Sequence, residues 1–271
     1  ESNSDTIDGG AGADTLNLSA GSHTFSTDGK LANLETILAH SSGSTVVLTG
    51  QTEGFAITGA NGVDTFTGGA GADTLKGNSG NDVLTGGGGN DTFNVTSGTD
   101  SISDLATGDI LKVSSGAIAN ATGITGFNAD SGTTNSGTAN LTVASGGGTI
   151  NMSSAGSGDY NLYVGAGTDS VTGGSGADTL HIVSSGQGDA DTFVGGAGTD
   201  ILQLSSGSHS FTNDGKVATV ETIKTHSGGS TLVLTGQTEN FTITGFNGAD
   251  IITGGNGVDT ISASGGNDSI T

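Results

Sequence analysis

The chain has 271 residues, with 27 acidic against 5 basic side chains and a formal net charge of −22. Its 57 Leu, Ile, Val and Phe residues sit near the level at which high charge leaves a chain unfolded, so folding requires something to neutralise the charge and gather the apolar residues. The absence of Cys excludes disulfides and thiolate metal ligands, and the acidity argues for cations as partners and against nucleic acid or anionic lipid.

The apolar residues keep a period of nine along the chain. Ile7, Leu16, Phe25 and Leu34 are followed by a five-residue insertion and then by Leu48, Ile57, Phe66, Leu75, Leu84, Phe93, Ile102 and Leu111. Residues 113–154 are loosely phased, with Leu141 and Ile150 in frame. Leu162, Val171 and Leu180 lead through a four-residue insertion to Phe193, Leu202, Phe211 and Val220. A second five-residue insertion precedes Leu234, Ile243, Ile252, Ile261 and Ile270. No apolar run is long enough to span a membrane, which takes about 18 residues or more, and Glu1 opens no signal-peptide pattern.

A period of nine suits a short strand plus a turn. Pieces such as Thr-Val-Val-Leu-Thr at 45–49 are β-branched, and the Gly-rich pieces between them supply tight turns. One such unit cannot bury its apolar residue alone, but stacked units can. The pattern therefore predicts an all-β fold, a parallel β-solenoid with two nine-residue units in each coil of about 18 residues, rising about 4.8 Å per coil. It divides into a solenoid over 1–112, an irregular segment over 113–163 and a solenoid over 164–271.

A longer period encloses the short one. Residues 9–85 align without gaps to 195–271, with 48 identities in 77 positions, and VLTGQTE recurs at 47–53 and 233–239. The matching phases of the two ends predict a segment of a longer tandem array.

The turns carry the chemistry. Gly68-Gly69-Ala70-Gly71-Ala72-Asp73-Thr74-Leu75-Lys76 reads G-G-x-G-x-D-x-U-x, where U is apolar. Gly9 to Asn17, Gly86 to Asn94, Gly173 to His181, Gly195 to Gln203 and Gly254 to Ser262 fit it fully. Of the 22 Asp, 15 fall at motif position six, a bias that a ligand role requires and a generic acidic surface does not explain.

These motifs resemble the RTX (repeats-in-toxin) calcium-binding β-roll family. The resemblance implies that Ca2+ is held in the turns by Asp carboxylates and backbone carbonyls of repeats n and n+2. Calcium suits such a donor set, being a hard cation that takes six to eight oxygens. Carried onto this chain, the ligands are Asp64, Asp73, Asp82, Asp91, Asp100 and Asp109 in the run at 59–112. In the run at 164–203 they are Asp169, Asp178, Asp191 and Asp200, in that at 245–271 Asp250, Asp259 and Asp268, and in that at 1–17 Asp5 and Asp14. In 18–58 and 204–244 position six becomes His23, Ala32, Val46 and Phe55, or His209, Ala218, Leu232 and Phe241. These stretches are expected to stack without binding calcium.

The other motifs are weak. No His opens an H-E-x-x-H site, no G-x-S-x-G elbow is present, and no lysine or helix follows the Gly-rich stretches as a phosphate loop requires. His23 and His209 are expected as exposed turn residues. The expected function is non-enzymatic: a calcium-dependent structural component of a secreted, cell-surface assembly, self-associating end to end or in a lattice, and resembling the calcium-binding region of bacterial S-layer proteins. The alternatives are the stalk of a biofilm adhesin and the calcium-dependent secretion module of an enzyme exported by type I secretion.

Carboxylates gathered without metal repel, and an ion bound only to the folded state stabilises it by mass action. In excess chelator at low ionic strength the circular dichroism spectrum should be that of a largely disordered chain. Millimolar calcium should convert it to a β-rich one, and an unchanged β spectrum in chelator would refute the coupling.

Overall fold

The computed structural model describes residues 5–271, and all of its regular secondary structure there is β-strand. The first four residues of the run at 1–17 lie outside the described residues. The chain forms two compact units, Glu1–Thr122 with Ala129–Ala139, and Gly123–Asn128 with Asn140–Thr271. Each is a parallel β-solenoid.

In the first unit, consecutive strands go alternately to two sheets. One contains Gly21–Thr24, Ser44–Val47, Thr65–Thr67, Val83–Thr85 and Thr99–Ile102 in that order. The other contains Thr15–Asn17, Thr36–Leu38, Ala56–Thr58, Thr74–Lys76, Thr92–Val95 and Ile110–Val113. In the second unit the longest sheet contains Tyr160–Val164, Thr179–Ile182, Ile201–Gln203, Thr222–Lys224, Thr242–Thr244 and Thr260–Ser262. Facing strands there belong to two shorter sheets, one including Gly147–Asn151, Thr168–Thr172 and Thr192–Val194, the other including Ser230–Val233 and Ile251–Thr253.

Register follows from the pattern Thr-U-Thr. The central residue points inward and its neighbours outward, because side chains alternate along a strand. Phe66 stacks on Leu84, and Leu84 on Ile102. On the other sheet Ile57 stacks on Leu75, Leu75 on Phe93, and Phe93 on Leu111. All of these are buried. Each step is 18 residues, as the nine-residue period requires for alternate units.

The insertions shift this frame. Ile37, not Leu34, pairs with both Leu16 and Ile57, and Val46, not Leu48, pairs with Phe66. In the second unit Ile223 and Leu232 hold the places expected for Val220 and Leu234. Coils there take 20 to 24 residues, as in Ile37↔Ile57 and Phe193↔Val217. The extra residues turn outside the strands, so the strand that follows restarts its own alternation. The segment 113–154 is also built of strands, including Thr138–Val143 and Gly147–Asn151. Its loose phase has a simple cause: buried Ala119, Ala121 and Ala139 stand among its larger apolar residues.

The coils without motif turns have other supports. Gln51 is fully buried; its amide donates to the carbonyls of Phe25 and Thr27 and its Oε1 accepts the N–H of Leu31. Gln237 does the same for Phe211, Asn213 and Val217. His23 and His209, expected at the surface, are buried, each with Nε2 against the carbonyl four residues earlier, Ser19 at 2.8 Å and Ser205 at 3.1 Å. They lie on strands in register with Val46 and Leu232, which is why they face inward.

Candidate metal centres in the turns

Each motif turn wraps its Asp side chain inward. Asp73 is 1 % exposed. Its Oδ1 accepts the N–H of Phe55 one coil back at 2.7 Å, and its Oδ2 accepts the N–H of Gly69 in its own turn at 2.8 Å. Its own N–H donates to Asp91 Oδ1 at 2.8 Å, and that of Asp91 to Asp109 Oδ1 at 2.8 Å. The opposite edge carries a second column, in which Ser44 donates to Asp64, Asp64 to Asp82 and Asp82 to Asp100, at 2.7 to 3.0 Å.

The second unit repeats this arrangement. Gly148 donates to Asp169 and Asp169 to Asp191; Tyr160 donates to Asp178 and Asp178 to Asp200. Ser230 donates to Asp250, Asp250 to Asp268, and Phe241 to Asp259. Asp64, Asp73, Asp82, Asp91, Asp100, Asp109, Asp169, Asp178, Asp191, Asp200 and Asp250 are all buried, whereas Asp5, Asp14, Asp259 and Asp268 are half-buried.

Glycine at position one is required by space. A Cβ on Gly68 would lie 2.1 Å from the carbonyl oxygen of Gly86 and 2.3 Å from Asp73 Oδ2. Two oxygens of adjacent coils thus converge on a point that only a Cα hydrogen tolerates. The same convergence occurs at Gly59, between Asp64 Oδ2 and the Gly77 carbonyl, and at Gly173, between Asp178 Oδ2 and the Gly195 carbonyl.

These columns place like charges one coil apart with little to neutralise them. Burial pushes the carboxyls of Asp64, Asp73, Asp82, Asp109, Asp169 and Asp200 above their usual range, against the backbone N–H groups that lower them. Asp91 is pushed up to about 6, by burial first and then by the neighbouring Asp109, Asp73 and Asp104. Asp178 is likewise raised to about 6, and Asp100 to about 7 by burial and by Asp82. Moreover, Oδ2 of Asp14, Asp82, Asp100, Asp169 and Asp200 is buried without a hydrogen-bond partner. A buried unpaired carboxylate oxygen is costly and calls for a proton or a cation.

A divalent hard cation fits this donor set of carboxylate and carbonyl oxygens. Among the described residues no three His, Cys, Asp or Glu side chains are grouped to hold a metal ion. Carboxylates paired along a column, with turn carbonyls, are what the structure provides.

Comparison with known proteins agrees with this chemistry. The family model described as RTX calcium-binding nonapeptide repeat (4 copies) matches residues 2–22, 58–93, 145–181, 185–208 and 242–271, together just over half of the chain. The chain belongs to the RTX calcium-binding repeat family. Calcium is the ion that such repeats bind, and they are typical of secreted extracellular proteins. No curated protein matches the chain, and no solved structure does. No described helix is long and apolar enough to cross a membrane.

Position-six assignment by counting failed where the insertions shift the RTX frame. Ser44 and Ser230, not Val46 and Leu232, are the residues that donate to the next Asp. Glu35 and Glu221 were also missed: each accepts an Asp N–H, from Asp14 and Asp200 respectively, at 2.7 Å. The available signal was their equivalence in the 186-residue offset.

The raised carboxyls fix the pH dependence. An Asp whose folded pKa exceeds its unfolded value favours folding when protonated, so the calcium-free fold loses stability as pH rises from about 4 through 7. Calcium needs the ionised form, so its affinity should fall as pH drops below that window. Thermal melts in chelator should show higher melting temperatures near pH 5 than near pH 8, and melts in calcium the reverse order. The same order in both conditions would contradict buried columns as the cause.

Proposed function

We propose that this chain is a calcium-dependent structural component of a secreted, cell-surface assembly, an S-layer lattice or extracellular fibre. The observation that supports it is the carboxylate columns: they occupy the turns of both units, and their charge is compensated only when cations sit between coils. The ligands are the fifteen position-six aspartates, from Asp5 and Asp14 to Asp259 and Asp268, with turn carbonyls supplying the remaining oxygens. Calcium supplies positive charge and a many-oxygen coordination shell; the protein's part is to present carboxylates one coil apart and to keep water out by burial. The role is mechanical and non-enzymatic: no nucleophile-and-base pair or cofactor motif stands in the sequence.

The 186-residue repetition favours an assembly. It presents the same surface twice in one chain, as a lattice or fibre requires of its contacts. Self-association is expected end to end or laterally, through such recurring surfaces.

Asp82 tests the ligand assignment. It sits mid-column with an unpartnered buried oxygen, whereas Asp28 is exposed and accepts only from Thr52. Asp82→Ala should weaken calcium binding and lower the melting temperature in calcium more than Asp28→Ala. Equal effects would mean that the acidic residues act only as diffuse charge.

Assembly is tested by light scattering and negative-stain microscopy of the chain at high concentration. Ordered particles that form on adding calcium and dissolve on chelation support the reading. Monodisperse monomers in millimolar calcium would count against self-association of this chain.

A further inference from the structure

Two acidic residues outside the nonapeptide motif stand where a calcium column meets a motif-free coil. The turn between Ala32 and Thr36 has three residues, 33–35, where a motif turn has six. Its tightness is taken up by Asn33 at φ 51°, and in the equivalent turn by Thr219 at φ 49°. A left-handed β-branched residue such as Thr219 is strained and persists only where its surroundings hold it.

The strained residue delivers its carbonyl to the preceding motif turn. The Thr219 oxygen lies 2.0 Å, and Asp200 Oδ2 2.5 Å, from where a Cβ on Gly195 would be. The Asn33 oxygen lies 2.1 Å from the corresponding point on Gly9, beside the Asp14 side chain. This is the same convergence of oxygens that Gly68 shows between two full motif turns. The next residue but one completes it. Glu221 Oε2 accepts the N–H of Asp200, and Glu35 Oε2 that of Asp14, each at 2.7 Å. Each Glu thus takes the place in the column that an Asp holds elsewhere.

A second observation separates these places from ordinary acidic surface. In full motif turns the position-two N–H donates to Oδ2 of the Asp, as Gly69 does to Asp73, Gly174 to Asp178 and Gly255 to Asp259. At Asp200 that donor is diverted: Gly196 N–H goes to Thr219 Oγ1 at 2.9 Å. At Asp14 it is diverted as well, Gly10 N–H going to Asp8 Oδ1 at 3.0 Å. Asp200 is 0 % exposed, and Oδ2 of both aspartates is left buried with no partner. A buried carboxylate oxygen, stripped of its donor and one coil from another carboxylate, is matched by a cation. The Glu221 charge also raises the Asp200 carboxyl, after burial.

We propose that Glu35 and Glu221 are calcium ligands, each closing one further site together with Asp14 and the Asn33 carbonyl, or with Asp200 and the Thr219 carbonyl. The motif-free stretches 18–58 and 204–244 therefore each contribute to one calcium site at the edge nearest the preceding motif turn. Both glutamates are exposed, so these sites stay open to solvent, and the ion exchanges there more freely than in the middle of a column. The columns end at this point, because the next residues along them, Phe55 and Phe241, offer no side-chain oxygen.

The proposal rests on the reading of the position-six aspartates as ligands, and calcium titration calorimetry of the full chain separates the two. Glu→Gln keeps an oxygen to accept the Asp N–H while removing the charge. E35Q/E221Q should bind two fewer ions than the parent chain, and E221Q alone one fewer, with an unchanged β spectrum in saturating calcium. E53Q/E239Q, at exposed glutamates elsewhere, should bind the parent number. If D73N/D91N loses ions while E35Q/E221Q keeps the parent stoichiometry and affinity, the glutamates are not ligands and the proposal fails. If D73N/D91N also loses none, the aspartate reading fails and takes the proposal with it.

Discussion

The structure depends on one electrostatic constraint: carboxylates must be buried in stacked rows if the turns are to be tight. A six-residue turn that doubles the chain back needs something to satisfy its inward amide groups, and the position-six Asp does so twice. One oxygen accepts from its own turn and the other from the coil before. The hydrogen bonds are short, but each adds a negative charge about one coil spacing from the next. Amide dipoles alone offset this only partly, as the raised carboxyls of Asp91, Asp100 and Asp178 show. The fold is therefore left with a charge debt that calcium discharges, and the ion is a structural element in the same sense as a core side chain.

The apolar core cannot carry that load alone. It is one side chain wide on each sheet, Ile57–Leu75–Phe93 on one and Phe66–Leu84–Ile102 on the other. Such a core buries little apolar surface per residue, and at roughly 25 cal/mol per Å2 it leaves stability open to control by the turns. Where the motif is absent, the work passes to neutral groups. Gln51 and Gln237 bridge carbonyls that no motif amide reaches, and His23 and His209 fill the core as uncharged rings against backbone carbonyls.

Much of this was legible in the residues. A strict nine-residue recurrence leaves few folds open, and the concentration of Asp at one motif position pointed to the turns. Counting failed where length changed. Insertions restart the strand alternation, so Leu34 and Leu48 lost their expected places to Ile37 and Val46, and His23 faced inward. Those shifts depend on where the extra residues bulge, which periodicity does not encode. Glu35 was hidden for the same reason: its place in the column follows from a turn three residues shorter, and no motif spells it.

The alternation of strands between two sheets has a consequence for how such a gene can change length. Asp73 and Asp91 share a column, while Asp82 between them belongs to the opposite one. Losing a single nonapeptide would hand every later strand to the other sheet and break both columns at once. Losing or gaining a pair leaves each residue facing the neighbours it had. Recombination between copies is thus silent in steps of 18 residues and disruptive in steps of nine, so arrays of this kind should drift in length by whole coils, with an odd unit surviving only where an insertion has already reset the frame.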